Sequence, residues 1–147
     1  MPHPPDACGL TQFQIGDSFW VQTRSEPIEH IWVLITKPNP LNKTSIWVNV
    51  TTARSWSDRT TVLRIGDHPT VDREAVVYYR GAKRVDLVKL EYDLQSGQAR
   101  RTSRCPDTLL ARIQTGILAS RLTPKETQGW FNAEKAAGRA SLTHSTP

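Results

Sequence analysis

Two segments decide most of what this chain can become. Residues 30–37 and 45–52 are dense in β-branched and aromatic side chains. In the first, Ile31, Val33 and Ile35 take one side and Trp32, Leu34 and Thr36 the other. A strand that is apolar on both sides for most of its length belongs in the centre of a sheet. In the second, Ile46, Val48 and Val50 point one way and Trp47, Asn49 and Thr51 the other. One face is therefore core, and the other presents an indole, an amide and a hydroxyl in a row. The Lys37-Pro38-Asn39-Pro40-Leu41-Asn42 stretch between them must be a loop. The pair reads as adjacent walls of a small barrel.

The remaining pattern extends that reading. Residues 17–24 form a first strand, ended by Ser25-Glu26-Pro27. Residues 53–59 are a polar loop with Arg54, Trp56 and Arg59, and 60–65 a short strand. Gly66-Asp67-His68-Pro69 is a turn and 75–80 a strand followed by Gly81. Residues 84–90 read as a further strand, with a helix as the competing assignment, and Ser96-Gly97 as a turn. Beyond this the period changes. Pro106 opens a helix whose Leu109, Leu110, Ile113, Ile117 and Leu118 fall at helical spacing. Thr123-Pro124-Lys125-Glu126 has the form of a capping box before a second helix carrying Trp130 and Phe131. Short strands followed by helices give an α+β fold, a small antiparallel barrel with C-terminal helices. The long loops after the second and third strands suit an SH3-like barrel better than a sandwich. Residues 1–12 and 138–147 lack periodicity and are expected to be flexible or disordered tails around one domain at 13–137.

The chain has 147 residues, enough for one core without staples. Its net charge of +5 and pI near 9.6 favour polyanionic partners without choosing among them. Cys8 and Cys105 form neither a disulfide framework nor a metal pair, and both read as reduced thiols. No apolar run reaches the ~20 residues of a membrane span, and the Pro-rich start lacks a signal-peptide layout, so the cytoplasm is the expected compartment and no membrane partner is expected. No metal-ligand cluster, phosphate loop or nucleophilic triad is evident, and no cofactor is expected.

The strand-loop-strand unit from Ile31-Trp32-Val33-Leu34-Ile35-Thr36 to Val48-Asn49-Val50-Thr51-Thr52 resembles the second and third strands of MazF/PemK-like toxins. The resemblance spans residues 15–120 and includes the Thr51-Thr52 pair that ends the second of these strands. It implies a cytosolic bacterial toxin–antitoxin endoribonuclease on an SH3-like barrel. Such an enzyme cleaves single-stranded RNA without a metal, works as a homodimer and is neutralised by an antitoxin protein. Two departures matter. The Gly66-Asp67-His68-Pro69 turn, with Val76-Val77-Tyr78 after it, is not the usual family pattern. The family carries an Arg-Pro pair at the start of its second strand, with that Arg in catalysis, whereas this chain has Glu29-His30.

RNA cleavage by transfer to the 2′-hydroxyl needs a base, an acid and positive charge on the phosphate. Histidine suits the first two near neutral pH. His30 and His68 are therefore the candidate acid–base pair, with Asp67 able to orient His68. Thr51 or Thr52 would hold a phosphate oxygen, and Arg54, Arg59 or Lys83 would neutralise its charge. Trp47 and Trp56 are candidate stacking platforms. Arg101, within the basic run at residues 100–104, is a candidate phosphate contact. Each has a plainer reading: a strand-end histidine, a turn histidine bonded to Asp67, ordinary strand threonines, core indoles and a solvated basic loop. A non-catalytic SH3-like module that binds nucleic acid or protein is the competing function, since fold does not fix function.

Overall fold

A computed structural model describes residues 12–22 and 28–142. The elements are β1 Ser18–Gln22, β2 Glu29–Leu34, β3 Thr44–Thr52, β4 Val62–Leu63, β5 Ala75–Asp86, α1 Leu87–Ser96, β6 Ala99–Thr102, α2 Asp107–Ala119 and α3 Lys125–Ala136. The strands make one antiparallel sheet in the order β4-β5-β3-β2-β1-β6, curled into a half-barrel. The α+β class and the central place of β2 and β3 match the sequence pattern.

The alternation read from the sequence divides the sheet into two covered faces. Ile31, Val33, Ile46, Val48, Val50, Val77 and Tyr79 pack under Leu109, Leu110, Ile113 and Ile117 of α2 and Phe131 of α3. Phe19, Trp32, Leu34, Trp47 and Val85 pack on the other side with Leu87 and Leu90 of α1. These are called below the α2/α3 face and the α1 face. Burying a side chain such as Leu90 contributes roughly 1.5–3 kcal/mol, which makes each layer worth several such increments.

β5 does not track β3 evenly. Asn49 pairs with Tyr78 and Trp47 with Lys83, so residues 79–82 all oppose Val48. At Gly81 a Cβ would lie 2.9 Å from the Tyr78 ring and 3.2 Å from Asn49 Oδ1, so only glycine fits this bulge without displacing them. The bulge ends one run of β5 and starts another, which is why residues 75–80 and the segment from 84 look like separate strands in the sequence.

Several expectations need correction. Residues 87–90 are helical: Asp86 Oδ1 accepts hydrogen bonds from the Val88 and Lys89 N–H groups, capping α1, and Leu87 and Leu90 sit one turn apart on its buried side. Residues 99–102 are not a loop but an edge strand paired with β1. The Thr123 capping box does not form. Pro124 takes the cap position of α3, and the Thr123 hydroxyl is buried with no hydrogen-bond partner among the described residues. Residues 139–142 are half-buried, with the Arg139 carbonyl accepting from the Lys37 N–H and Ala140 and Leu142 packed on the core. The rest of the two expected tails, 1–11 and 143–147, and the first strand's expected end at 23–24 lie outside the described residues. Among the described residues no helix is long and apolar enough to cross a membrane.

Candidate nucleic-acid interface

The ladder fixes which candidate side chains share a face, because residues directly opposite in an antiparallel sheet project the same way. His30 pairs with Val21, and Val21 packs with the α1-face cluster. Trp32 pairs with Asn49 and Ile31 with Val50, so one further step sets His30 at the level of Thr51. Thr51 pairs in turn with Val76. The next row of this face holds Phe19, Trp32, Asn49 and Tyr78, and the row after it Leu34, Trp47 and Lys83. His30 and Thr51 are half-buried and Tyr78 is 42% exposed, so this end of the face is open to solvent.

His68 is elsewhere. Its ring is fully buried. Nε2 lies 3.1 Å from Ser18 Oγ, and Nδ1 accepts the Thr70 N–H at 3.1 Å. Ser18 pairs with Val33, on the α2/α3 face, so the two histidines lie on opposite sides of the sheet. No single phosphate could engage both. The expected pairing of His68 with Asp67 is also replaced. Asp67 accepts the Arg64 N–H at 2.8 Å and an Arg112 guanidinium contact at 3.4 Å. The Arg64 N–H hydrogen bond, aided by Arg112, holds the Asp67 carboxyl below its usual range.

The Ser18–His68 contact raises a different chemistry, a serine nucleophile with its base, and the hydrogen bonds dispose of it. A base needs an unprotonated Nε2 facing the hydroxyl and an Nδ1–H oriented by an acceptor. Here Nδ1 accepts from a backbone N–H, so Nε2 carries the proton and donates to Ser18 Oγ, which donates in turn to the Gly16 carbonyl at 3.2 Å. Burial pushes the His68 pKa down, keeping this neutral arrangement. The group is a structural clamp tying the 66–70 turn to β1. Ser18 gave no signal in the sequence; its partner is fifty residues away.

The other candidates divide similarly. Thr52 pairs with Ala75 of the α2/α3 cluster and so faces away from Thr51. It is also remote from His68. Ser18 stands at the level of Val48 through Val33, four positions from Thr52, or about 13 Å along the strands. Trp47 is 7% exposed, packed on Trp32 with ring centroids 4.6 Å apart, so it is no open stacking platform. Trp56 is 82% exposed in the loop after β3, two residues on from Arg54. Arg59 leans on Glu74 at 3.2 Å, which dilutes its charge. Lys83 extends its ammonium 5.3 Å above the Trp32 ring, on the same face as His30 and Thr51. Arg101 is held between Asp17 at 3.2 Å and the Gln12 carbonyl at 3.0 Å, and Arg100 binds Glu29 at 2.8 Å. The basic run is mostly spent on fastening β6 to its neighbours.

The residues that share the α1 face are therefore His30 and Thr51 in one row, Tyr78 in the next, and Lys83 opposite Trp47, four positions or about 13 Å from Thr51 along the strand, with Arg54 and Trp56 on the loop continuing from Thr52. Tyr78 was missed because strand 75–80 reads as packing. Among the described residues no three His, Cys, Asp or Glu side chains group as a metal would need. Neither a family model nor any curated protein matches this chain.

Proposed function

We propose that this protein binds single-stranded RNA across the α1 face, as a small SH3-like barrel. The observation that carries the proposal is the shared face and level of His30 and Thr51, with exposed Tyr78 in the adjoining row and the Lys83 charge beyond it. A hydroxyl and a cation contact phosphate, and an exposed aromatic stacks on a base; this is the combination that single-strand binders use. Net positive charge supplies the long-range attraction.

Cleavage is the second reading, favoured by the same pair. His30 stands where the MazF/PemK-like toxins place their catalytic Arg, and it is an imidazole beside a hydroxyl. In this reading His30 takes the 2′-hydroxyl proton as that oxygen bonds to phosphorus, the bond to the 5′-oxygen breaks and water protonates the leaving oxygen, Thr51 holds the reacting phosphate and Lys83, two rows on, a neighbouring one, and the chain is a cytoplasmic homodimeric toxin with an antitoxin partner. Binding is the better supported of the two because the second acid–base group, His68, faces the other way and its nitrogens are engaged.

Purified protein incubated with single-stranded RNA in EDTA separates the readings. A gel shift with intact RNA, weakened in His30→Ala and Thr51→Ala and unchanged in Thr52→Ala, supports binding. Cleavage lost in the first two variants supports the toxin. Neither affinity nor cleavage would sink both and leave a protein-contact role.

A further inference from the structure

β4 and β5 lie at one end of the six-stranded sheet, and β1 and β6 at the other. The segment between β4 and β5, residues 64–74, joins the two ends. Its base is pinned by the ladder pair Leu63–Ala75. Its middle reaches β1, where the His68 ring meets Ser18 Oγ at 3.1 Å, and β6, where Thr70 Oγ1 lies 2.7 Å from Thr102 Oγ1. Val71 is buried in the α2/α3 layer, and the Asp67 carboxylate meets Arg112 of α2 at 3.4 Å. Among the described residues, 64–74 contribute no rung to any ladder. They form a strap across the half-barrel that can swing from its base without unpairing a strand.

The hold of the strap on β1 depends on one ring. His68 is fully buried, its Nδ1 accepts the Thr70 N–H, and its Nε2–H donates to Ser18. A second proton would point at the Thr70 N–H and leave a buried charge with no acceptor. The charged groups around the ring do not offer one. On the strap, Asp67 is held by the Arg64 N–H and Arg112, Asp72 by Arg73 at 3.3 Å and Glu74 by Arg59 at 3.2 Å. On β1 and β6, Asp17 is paired with Arg101 at 3.2 Å, and before α2 Arg104 is paired with Asp107 at 3.6 Å. The imidazole nitrogens meet only Ser18 and Thr70 among the described residues.

We infer that the 64–74 strap is an acid-released latch: protonation of His68 frees it from β1 while the sheet stays paired. With the strap open, the imidazole is in water and takes up a proton near its ordinary pKa of about 6.5. Opening bares Ser18 and Val71, both buried when the strap is shut. The latch lies on the α2/α3 face and stands apart from the RNA-binding reading, which concerns the other face.

Native-state amide hydrogen exchange on the full chain reads the latch, in urea concentrations below the unfolding transition, which separate local opening from global unfolding. The reporters are the Thr70 amide, bonded to the ring, and the Val71 amide, bonded to the His68 carbonyl at 3.0 Å. The reference is the slowest amides of the β2–β3 and β3–β5 ladders. At pH 7.5 the reporters exchange faster than the reference and without urea dependence. From pH 7.5 to 5.5 their protection, corrected for intrinsic exchange, falls about tenfold, as proton uptake by the opened ring requires if the latched ring stays neutral. His68→Asn abolishes that fall. Should this variant fail to fold, the wild-type profile decides alone. Reporters that match the reference in protection and urea dependence at both pH values overturn the inference, because the strap then opens only with the whole protein. A wild-type fall under twofold, or a fall that His68→Asn retains, overturns it equally, because His68 is then not the latch.

Discussion

Acidification should destabilise this protein through His68. The ring is fully buried, donates to Ser18 and accepts from the Thr70 N–H, so a second proton would both charge a buried group and break the Thr70 bond. Burial holds the folded pKa below 6.5. The unfolded chain binds a proton below pH 6.5 that the folded chain refuses, so stability is full above that value and falls as pH drops through it. If His68 stays neutral throughout, the loss is about 1.4 kcal/mol at pH 5.5 and under about 0.1 kcal/mol at pH 7.5. Urea denaturation at pH 5.5, 6.5 and 7.5 measures it. The control is His68→Asn, whose side-chain oxygen can still accept the Thr70 N–H. It loses ring volume and the Ser18 bond, about 2–3 kcal/mol at pH 7.5, but it has nothing to titrate in this window. The difference between the two slopes therefore belongs to His68. Equal slopes in both proteins, or a flat wild-type profile, would refute the clamp. The experiment also guards against a misreading. His68→Ala strands the Thr70 N–H, so loss of activity in that variant reports unfolding and does not make His68 catalytic.

Further outcomes follow from single contacts. Gly116→Ala would drive a Cβ into Tyr79 Oη and Thr61 Oγ1, which bond each other at 2.6 Å against α2, so a loss of about 3 kcal/mol or more is expected in chemical denaturation. Asp86→Ala removes both side-chain bonds that cap α1 and should cost about 1 kcal/mol, with Asp86→Ser recovering most of it. In a Cys8→Ser background, Cys105 should resist alkylation at pH 8 until denaturant is added. It is fully buried and its thiol is pushed up to about 12, so rapid native-state labelling would contradict that environment.

Legibility in the sequence followed the range of the physical cause. β2 and β3 were readable because alternation is local and both are buried on either side. α2 was readable from the spacing of Leu109, Leu110, Ile113 and Ile117, and α3 from the start signal at Thr123-Pro124. β6 was not, because Arg100 and Arg101 look like a solvated run until Glu29 and Asp17 are placed opposite them. α1 was obscured because Val85 and Leu87 continue an alternating pattern across the Asp86 cap, and the pattern alone does not mark where β5 stops. The Thr123 box failed by one residue: Pro124 can take the cap position itself, so the hydroxyl that should have capped is left inside.

The candidate site divides on the same principle. His30, Thr51 and Lys83 lie in strands, where parity and register decide the face. His30 is one position from Ile31 and Thr51 one from Val50, and the Ile31–Val50 pair therefore carries both to the same side. Parity alone puts His30 and Thr51 on one face of adjacent strands, but their common level comes from the Ile31–Val50 register, which the loop between the strands leaves open in the sequence. His68 lies in a turn, where no parity applies, and its position was set by Ser18, a residue with no pattern to announce it. Two histidines near the ends of one patterned segment thus looked equivalent, yet one reaches the exposed end of the α1 face and the other closes the opposite layer. A histidine in a strand inherits a face that can be tested against its neighbours. In a turn it can reach either layer, and its role depends on whether its ring nitrogens are already engaged.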